Sequence, residues 1–344
     1  DIMNNWFAII LSVVIGFGVS YALGYVVIPW LHKLKFGQTI LDIGPAWHKK
    51  KQGTPTMGGI LFIAGIISSL AVTILTYKLR GIDIIAGDSL VPASMKIKIY
   101  GGLLMAIAFG LVGFADDYVK VKRGRNLGLT IMQKSIAEVA IMGLYLYTLS
   151  TAGATYVFIP FVGVRDIGIF YWIIGVIAIY CTVNAVNFTD GIDGLCASVT
   201  AVACVSFAVI AVFRNMFGVS LISSALFGAL IGYLIWNWHP AKVMMGDVGA
   251  LFLGGMVLAI AYALDAPWLI LTVGVIYVIE FLSDVIQIGY FKLTGGKRIF
   301  KMAPIHHHFE KSGWKEVKIV KVFSLIGAIG GIISILITWF GRPV

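Results

Sequence analysis

The sequence predicts an all-α polytopic membrane protein with about ten transmembrane helices and both termini extracytoplasmic. Three observations carry this. The 344 residues are 59% hydrophobic and 12% charged, with a mean hydropathy of +0.95, where a soluble domain holds about 25% charged residues. The apolar residues fall into stretches of about 20, the length that crosses the hydrocarbon core as a helix with its backbone polar groups satisfied internally. The Lys and Arg residues crowd onto one side of the resulting topology.

In order, the apolar stretches lie near 6–31, 58–77, 99–115, 131–150, 168–186, 198–213, 220–238, 248–264, 268–290 and 319–340. The first has no basic segment ahead of it and runs long, so it reads as a retained span rather than a cleaved signal. No linker, low-complexity segment or repeat divides the chain, and residues 1–344 read as a single integral membrane domain. The loops after odd-numbered spans and their borders hold most of the 26 basic residues, among them Lys33, Lys35, Lys49, Lys50, Lys51, Lys120, Lys122, Arg123, Arg125, Lys297, Arg298 and Lys301. The other side holds only Lys78, Arg80, Lys96, Lys98, Arg165, Arg214 and Arg342. Basic loops stay inside, so the odd loops are cytoplasmic. These loops beside an anionic leaflet, with some lysines meeting anionic substrates, account for the net charge of +10 without nucleic acid. Cys181, Cys196 and Cys204 match no metal or disulfide spacing and read as small apolar helix residues.

The acidic residues fall onto this map without having been used to draw it. Asp116 and Asp117 end the third span in FADDYVKVKRGR, Asp190 and Asp193 follow the fifth in NAVNFTDGIDG, and Asp247 follows the seventh in MMGDVG. Each alone reads equally as a helix cap or a solvated loop acid, and Asp190 is placed to cap the sixth helix. Together they set five like charges at one depth on one side, an arrangement that calls for a neutralising cation. Hard oxygen ligands suit Mg²⁺ or Mn²⁺, held by one or two carboxylates together with substrate phosphates. Gly191, Gly194, Gly246 and Gly249 allow close backbone approach, Asn184, Asn187 and Asn237 offer amides, and Lys51, Lys120 and Lys134 offer cations.

In the last cytoplasmic loop, near 291–318, APIHHHFEKSGW holds His306, His307 and His308. Neighbouring side chains diverge by about 100° on a helix and alternate in a strand, so the three suit a substrate-facing loop better than one zinc ion. The preceding TGGKRIFK is basic and apolar enough to lie on headgroups. In the ninth span Glu280, Asp284 and Gln287 share one helix face, either for interhelical hydrogen bonds or as a polar wall beside a lipid groove.

Four segments in order, KQGTPTMGG from Lys51, ADDYVK, NAVNFTDGIDGL with MGDVG, and PIHHHFE, resemble the polyprenyl-phosphate N-acetylhexosamine-1-phosphate transferases over nearly the whole chain. The triple histidine after Pro304 favours the phospho-N-acetylmuramoyl-pentapeptide transferase branch. The resemblance implies transfer of phospho-MurNAc-pentapeptide from UDP-MurNAc-pentapeptide to undecaprenyl phosphate, giving lipid I and UMP for peptidoglycan synthesis in the bacterial inner membrane. It implies Mg²⁺, or Mn²⁺ in its place. Asp247 would be the principal metal ligand with Asp116 and Asp117 beside it, and Asp116 the candidate base or nucleophile. Asn187, Asp190 and Asp193 would contact the uridine diphosphate or order the metal's surroundings. Lys51, Thr56 and Asn237 would line the nucleotide end, Lys120 and Lys134 would hold phosphates, and His306, His307 and His308 would serve the nucleotide sugar. Asn184 and Gln287 complete the expected substrate contacts. Met244 departs from the pattern, standing where an aromatic able to stack on uracil would be natural. The alternatives are a GlcNAc-1-phosphate transferase and a transporter. A transporter would place its site near the midplane between repeats, which the sequence lacks. A homodimer through membrane helices is compatible with this reading.

Overall fold

A helix buried on nearly every side forms the axis of the molecule. In this computed structural model, which describes residues 2–34, 53–86, 92–123 and 128–342, that helix is α8 (Gly246–Ala263), buried continuously from Val248 to Ala263. Around it stand α1 (Ile2–Lys33), α2 (Gly59–Lys78), α3 (Pro92–Arg123), α4 (Ile131–Thr151), α5 (Ile169–Thr189), α6 (Leu195–Phe213), α7 (Phe217–Asn237), α9 (Val275–Leu293), the short α10 (Ile305–Lys311) and α11 (Glu316–Phe340). Among the described residues, eight of these (α1, α2, α3, α5, α6, α7, α8 and α11) are long and apolar enough to cross a membrane. The remaining two expected spans are long helices of more polar composition. Helix α4 opens with Gln133, Lys134 and Glu138, and α9 carries Glu280, Asp284 and Lys292. Both turn an acid inward: Glu138 is buried and Glu280 fully so. The outward faces are apolar, with Trp6, Ile10, Val14 and Trp30 on α1 and Ile136 and Leu144 on α4 all exposed, as a lipid-facing surface requires.

Close helix contact in lipid depends on small residues rather than on hydrophobic burial between helices. Helices α3 and α8 meet at Gly113, where a Cβ would fall 2.2 Å from the Asp247 carbonyl oxygen. Helices α1 and α7 run parallel, Gly228 against Val13 and, further along both, Gly24 against Trp236. The start of α1 therefore lies at the same end as the start of α7, and that end is opposite the aspartates. The end of α11 lies there too, since the Phe161 N–H donates to the Gly341 carbonyl at 2.8 Å.

Three features differ from the sequence reading. Helix α3 continues beyond Asp117 to Arg123, because Lys120 pairs back onto both aspartates within the helix. The ninth span opens as a 3₁₀ turn, Pro267–Leu271, and its α-helix starts only at Val275. The all-α expectation missed a hairpin: β1 (Tyr156–Ile159) pairs antiparallel with β2 (Gly163–Asp166), Ile159 opposite Gly163. The β-branched and aromatic residues of YVFI and the Gly at the turn favour this pairing.

The hairpin closes the end opposite the aspartates. The Phe158 N–H donates to the Asp265 carbonyl at 2.6 Å, Trp268 Nε1 donates to the Phe158 carbonyl at 2.8 Å, and the Arg214 guanidinium lies 4.4 Å from the Phe158 ring centre. Beneath it Lys98 and Asp265 form a buried ion pair. Burial pushes the Asp265 carboxyl above its ordinary pKa, while Lys98 and Arg214 pull it back down. Removing one partner of a buried pair strands the other, so Lys98→Met should cost about 3 kcal/mol and lower the melting temperature in detergent. An unchanged melt would mean that Arg214 alone neutralises Asp265.

Candidate active site

Three carboxylates from two helices converge where α3 passes the start of α8. Asp116 and Asp117 lie on α3, about two turns before its end, and Asp247 sits in the first turn of α8, where the helix dipole favours an anion. Each offers an oxygen, and these three atoms lie within 4.8 Å of one another. Two lysines hold the charge. Lys120 Nζ is 2.6 Å from Asp116, 3.7 Å from Asp117 and 3.1 Å from Asp247. Lys134, from the first turn of α4, is 3.2 Å from the same Asp247 oxygen. The set opposes three carboxylates to two ammonium groups, and its donors are all hard carboxylate oxygens, which fits a divalent cation of the Mg²⁺ class.

Backbone groups set the two α3 carboxylates. The Leu129 N–H donates to Asp116 Oδ1 at 2.7 Å and the Val248 N–H to Asp117 Oδ2 at 3.1 Å. Both aspartates are buried, whereas the Asp247 side chain is 18% exposed. Thr56 reaches the cluster because its loop lies along residues 244 and 245. The Met244 N–H donates to the Pro55 carbonyl, and Gly58 and Gly59 donate to the carbonyls of Met244 and Met245, at 2.8–3.0 Å. At Gly246, φ is +70° and a Cβ would stand 2.5 Å from Asp117 Oδ2 and 2.6 Å from Thr56 Oγ1. The expected Lys51 lies outside the described residues.

The other expected residues make contacts of their own, apart from the three carboxylates. Asn187 and Asp190 stand at the end of α5, where Asp190 closes α5 rather than capping α6, which begins after Gly194. Asp193 is buried and accepts from the Ala241 N–H at 3.1 Å, pairs with His239 at 2.8 Å, and donates its own N–H to Glu316 at 3.0 Å. Asn237, also buried, accepts from the Gly194 N–H and donates to the Val243 carbonyl. Gln287 accepts from the N–H groups of Ile299 and Phe300 and donates to the Phe300 carbonyl. Asp193, Asn237 and Gln287 thus bond the protein's own loops.

The three histidines sit on or beside α10 and diverge to three partners. His306 Nδ1 lies 3.0 Å from Glu280, with both side chains fully buried, His307 Nδ1 lies 2.6 Å from Glu310, and His308 Nδ1 accepts from the Lys301 N–H. His306 packs on the aspartate loop so tightly that a Cβ on Gly191 would fall 2.1 Å from Nε2. Gly191→Ala should therefore push α10 off that loop and, if the loop serves a substrate, raise its KM about tenfold with a smaller change in kcat, measured by steady-state kinetics. A KM within twofold of wild type would separate α10 from the substrate site.

The sequence reading passed over Glu138, which is buried beside Lys134, Asn184 and Asp247. Its signal was the four-residue spacing from Lys134 on one helix face. His239 and Glu316, partners of Asp193, were also missed, because nothing in their local sequence distinguishes them from loop residues.

The segments that build this cluster are those that match known proteins. Residues 99–265, from α3 to the end of α8, match the glycosyl transferase family 4 model, and residues 51–63 match phospho-N-acetylmuramoyl-pentapeptide-transferase signature 1. Proteins of that name from Clostridium botulinum (strain Eklund 17B / Type B), Listeria monocytogenes serotype 4b (strain CLIP80459) and Halalkalibacterium halodurans are 45%, 43% and 42% identical to the chain. The matches cover 94%, 91% and 95% of this chain and 95%, 93% and 96% of those proteins. The chain belongs to the phospho-N-acetylmuramoyl-pentapeptide-transferase family. It is a multi-pass membrane enzyme of the transferase class. The family model spans Asp116, Asp117, Lys120, Lys134 and Asp247 together, and the signature spans Thr56, whose loop is paired to the Met244–Met245 backbone.

Proposed function

We propose that this chain transfers phospho-MurNAc-pentapeptide from UDP-MurNAc-pentapeptide to undecaprenyl phosphate, giving lipid I and UMP in peptidoglycan synthesis. The observation that carries this reading is the convergence of Asp116, Asp117 and Asp247 with Lys120 and Lys134, in a chain of this family. Ten helices would span the bacterial inner membrane, with both termini outside and the aspartates at the cytoplasmic face, because the basic loops gather at that end. A site at that boundary serves an acceptor arriving through lipid and a nucleotide arriving through water.

Asp247 would hold Mg²⁺, with Asp116 and Asp117 completing the carboxylate set. The bound cation would supply charge neutralisation between the donor pyrophosphate and the acceptor phosphate. Lys120 and Lys134 add to that neutralisation on the side of the transferred phosphate. A phosphate monoester has its second pKa near about 6, so the acceptor is already largely dianionic and leaves Asp116 little proton to remove. The acceptor oxygen therefore attacks the sugar-linked phosphorus directly, a new P–O bond forms, the bond to the UMP phosphate breaks, and UMP leaves. Asp193, Asn237 and Gln287 serve substrate through the loops they fix, and His306 through its seat on the Asp190 loop.

The test is donor choice. Purified protein with undecaprenyl phosphate and Mg²⁺ should release UMP from UDP-MurNAc-pentapeptide. Release from UDP-GlcNAc alone would move the chain to the GlcNAc branch, and no release from either, with solute flux in liposomes, would make it a transporter. A phosphorylated enzyme trapped in the absence of acceptor lipid would replace direct attack by an aspartyl-phosphate route.

A further inference from the structure

Glu138 is the only acid on α4, and it lies on the helix face that also buries Met142, Tyr145, Leu146 and Leu149. It is 2% exposed. The Asn184 amide lies beside its carboxyl group but donates to the Tyr180 carbonyl at 2.9 Å, and Glu138 Oε1 is buried with no hydrogen-bond partner among the described residues. A buried acceptor left without a donor is costly, and native proteins rarely retain one without a use for it. A cationic donor stands on the same helix. Lys134 precedes Glu138 by one turn and directs its ammonium to Asp247 Oδ2, which it shares with Lys120.

That shared oxygen belongs to the residue read above as the principal ligand of a divalent cation. A cation bound at Asp247 Oδ2 would compete with the two ammonium groups held there, because like charges would meet on one oxygen. Lys120 keeps Asp116 within its own helix, at 2.6 Å. For Lys134 the carboxylate within reach along its own helix is Glu138. Lysine ahead of glutamate is the weaker order of an i, i+4 pair, which suits a secondary seat rather than a permanent one.

We propose that Glu138 is a positioning residue that receives Lys134 when a divalent cation takes Asp247, keeping the ammonium at the edge of the site. The proposal rests on the reading of the aspartate cluster as a cation site. The handover satisfies Glu138 Oε1 and relieves the repulsion at Asp247 in one movement. It leaves Lys134 beside the cation, where a donor phosphate would meet it.

The experiment is a double-mutant cycle read by Mn²⁺ binding, followed by electron paramagnetic resonance on the full-length protein in detergent without substrate. Glu138→Gln should weaken Mn²⁺ binding about tenfold, a coupling of ordinary size for neighbouring charged groups. In a Lys134→Met background the same change should have no further effect, since no ammonium is left to receive. If Glu138 acted only as a nearby negative charge, the loss would persist in that background and the handover would be overturned. Wild-type Mn²⁺ affinity in Glu138→Gln would overturn it as well. Glu138→Met, which removes the unpaired Oε1, gives the same cycle if the glutamine variant melts too low to titrate. A failure of every variant, wild type included, to bind Mn²⁺ would fall on the cation reading itself and not on Glu138.

Discussion

Asp247→Asn should lower UMP release roughly 1,000-fold, the loss expected when several kcal/mol of charge stabilisation disappears from a phosphoryl transfer. The reason lies in how the three carboxylates are committed. Asp116 and Asp117 each give one oxygen to a backbone N–H, of Leu129 and Val248. Asp247 makes no such bond among the described residues. Its recorded nitrogen partners are the ammonium groups of Lys120 and Lys134, which can move aside for a cation. It is also the most exposed of the three side chains. Asparagine keeps the shape and an acceptor for the lysines, so the melting temperature should hold while Mg²⁺ dependence and Mn²⁺ affinity fall. The measurement is UMP release across a Mg²⁺ titration beside a thermal melt. Normal turnover at normal Mg²⁺ would remove Asp247 from the metal and move the principal ligand to Asp116 or Asp117.

The residues that were legible in the sequence share one property: their charge is costly where hydropathy places them. Asp116, Asp117 and Asp247 stand at the ends of apolar helices, and loop charge alone brought them to one side. Lys120 follows from them by helical spacing. Glu138 was equally costly inside α4 and spaced one turn from Lys134, but its other neighbours, Asn184 and Asp247, come from α5 and α8, a junction that α4 alone does not reveal. Asp193 and Asn237 were expected at the substrate because the resemblance implies it, and Gln287 because it shares the polar face of the ninth span. A sequence does not tell a side chain that faces a ligand from one that ties two loops, since both need the same donors and acceptors. The hairpin escaped for a different reason. Its strands are four residues each, too short for alternation to stand out between two long apolar helices.

Gly246→Ala should reduce turnover about 100-fold, more than its effect on stability explains. At φ +70° an alanine costs about 1–2 kcal/mol in backbone strain, which a stable bundle can absorb. The larger effect is local. The new methyl group would fall 2.5 Å from Asp117 Oδ2, 2.6 Å from Thr56 Oγ1 and 2.9 Å from the Met57 nitrogen. Asp117 cannot retreat freely, because the Val248 N–H holds the same oxygen. The strain therefore passes either to the Asp117 carboxylate or to the Thr56 loop, and in both cases a group proposed above to face the cation or the nucleotide moves. Displacements of about 1 Å in a positioned site cost on the order of 100-fold in rate. Gly143→Ala is the matched control, since its Cβ meets nothing within 4 Å on α4, and its turnover should stay within about twofold of wild type. If Gly246→Ala lost activity only in proportion to its melting temperature, the tight contact at Gly246 would be a packing feature and the Asp117 position would have slack. If it lost Mn²⁺ affinity along with turnover, the displacement would have reached the carboxylates; turnover lost at unchanged Mn²⁺ affinity would assign it to the Thr56 side.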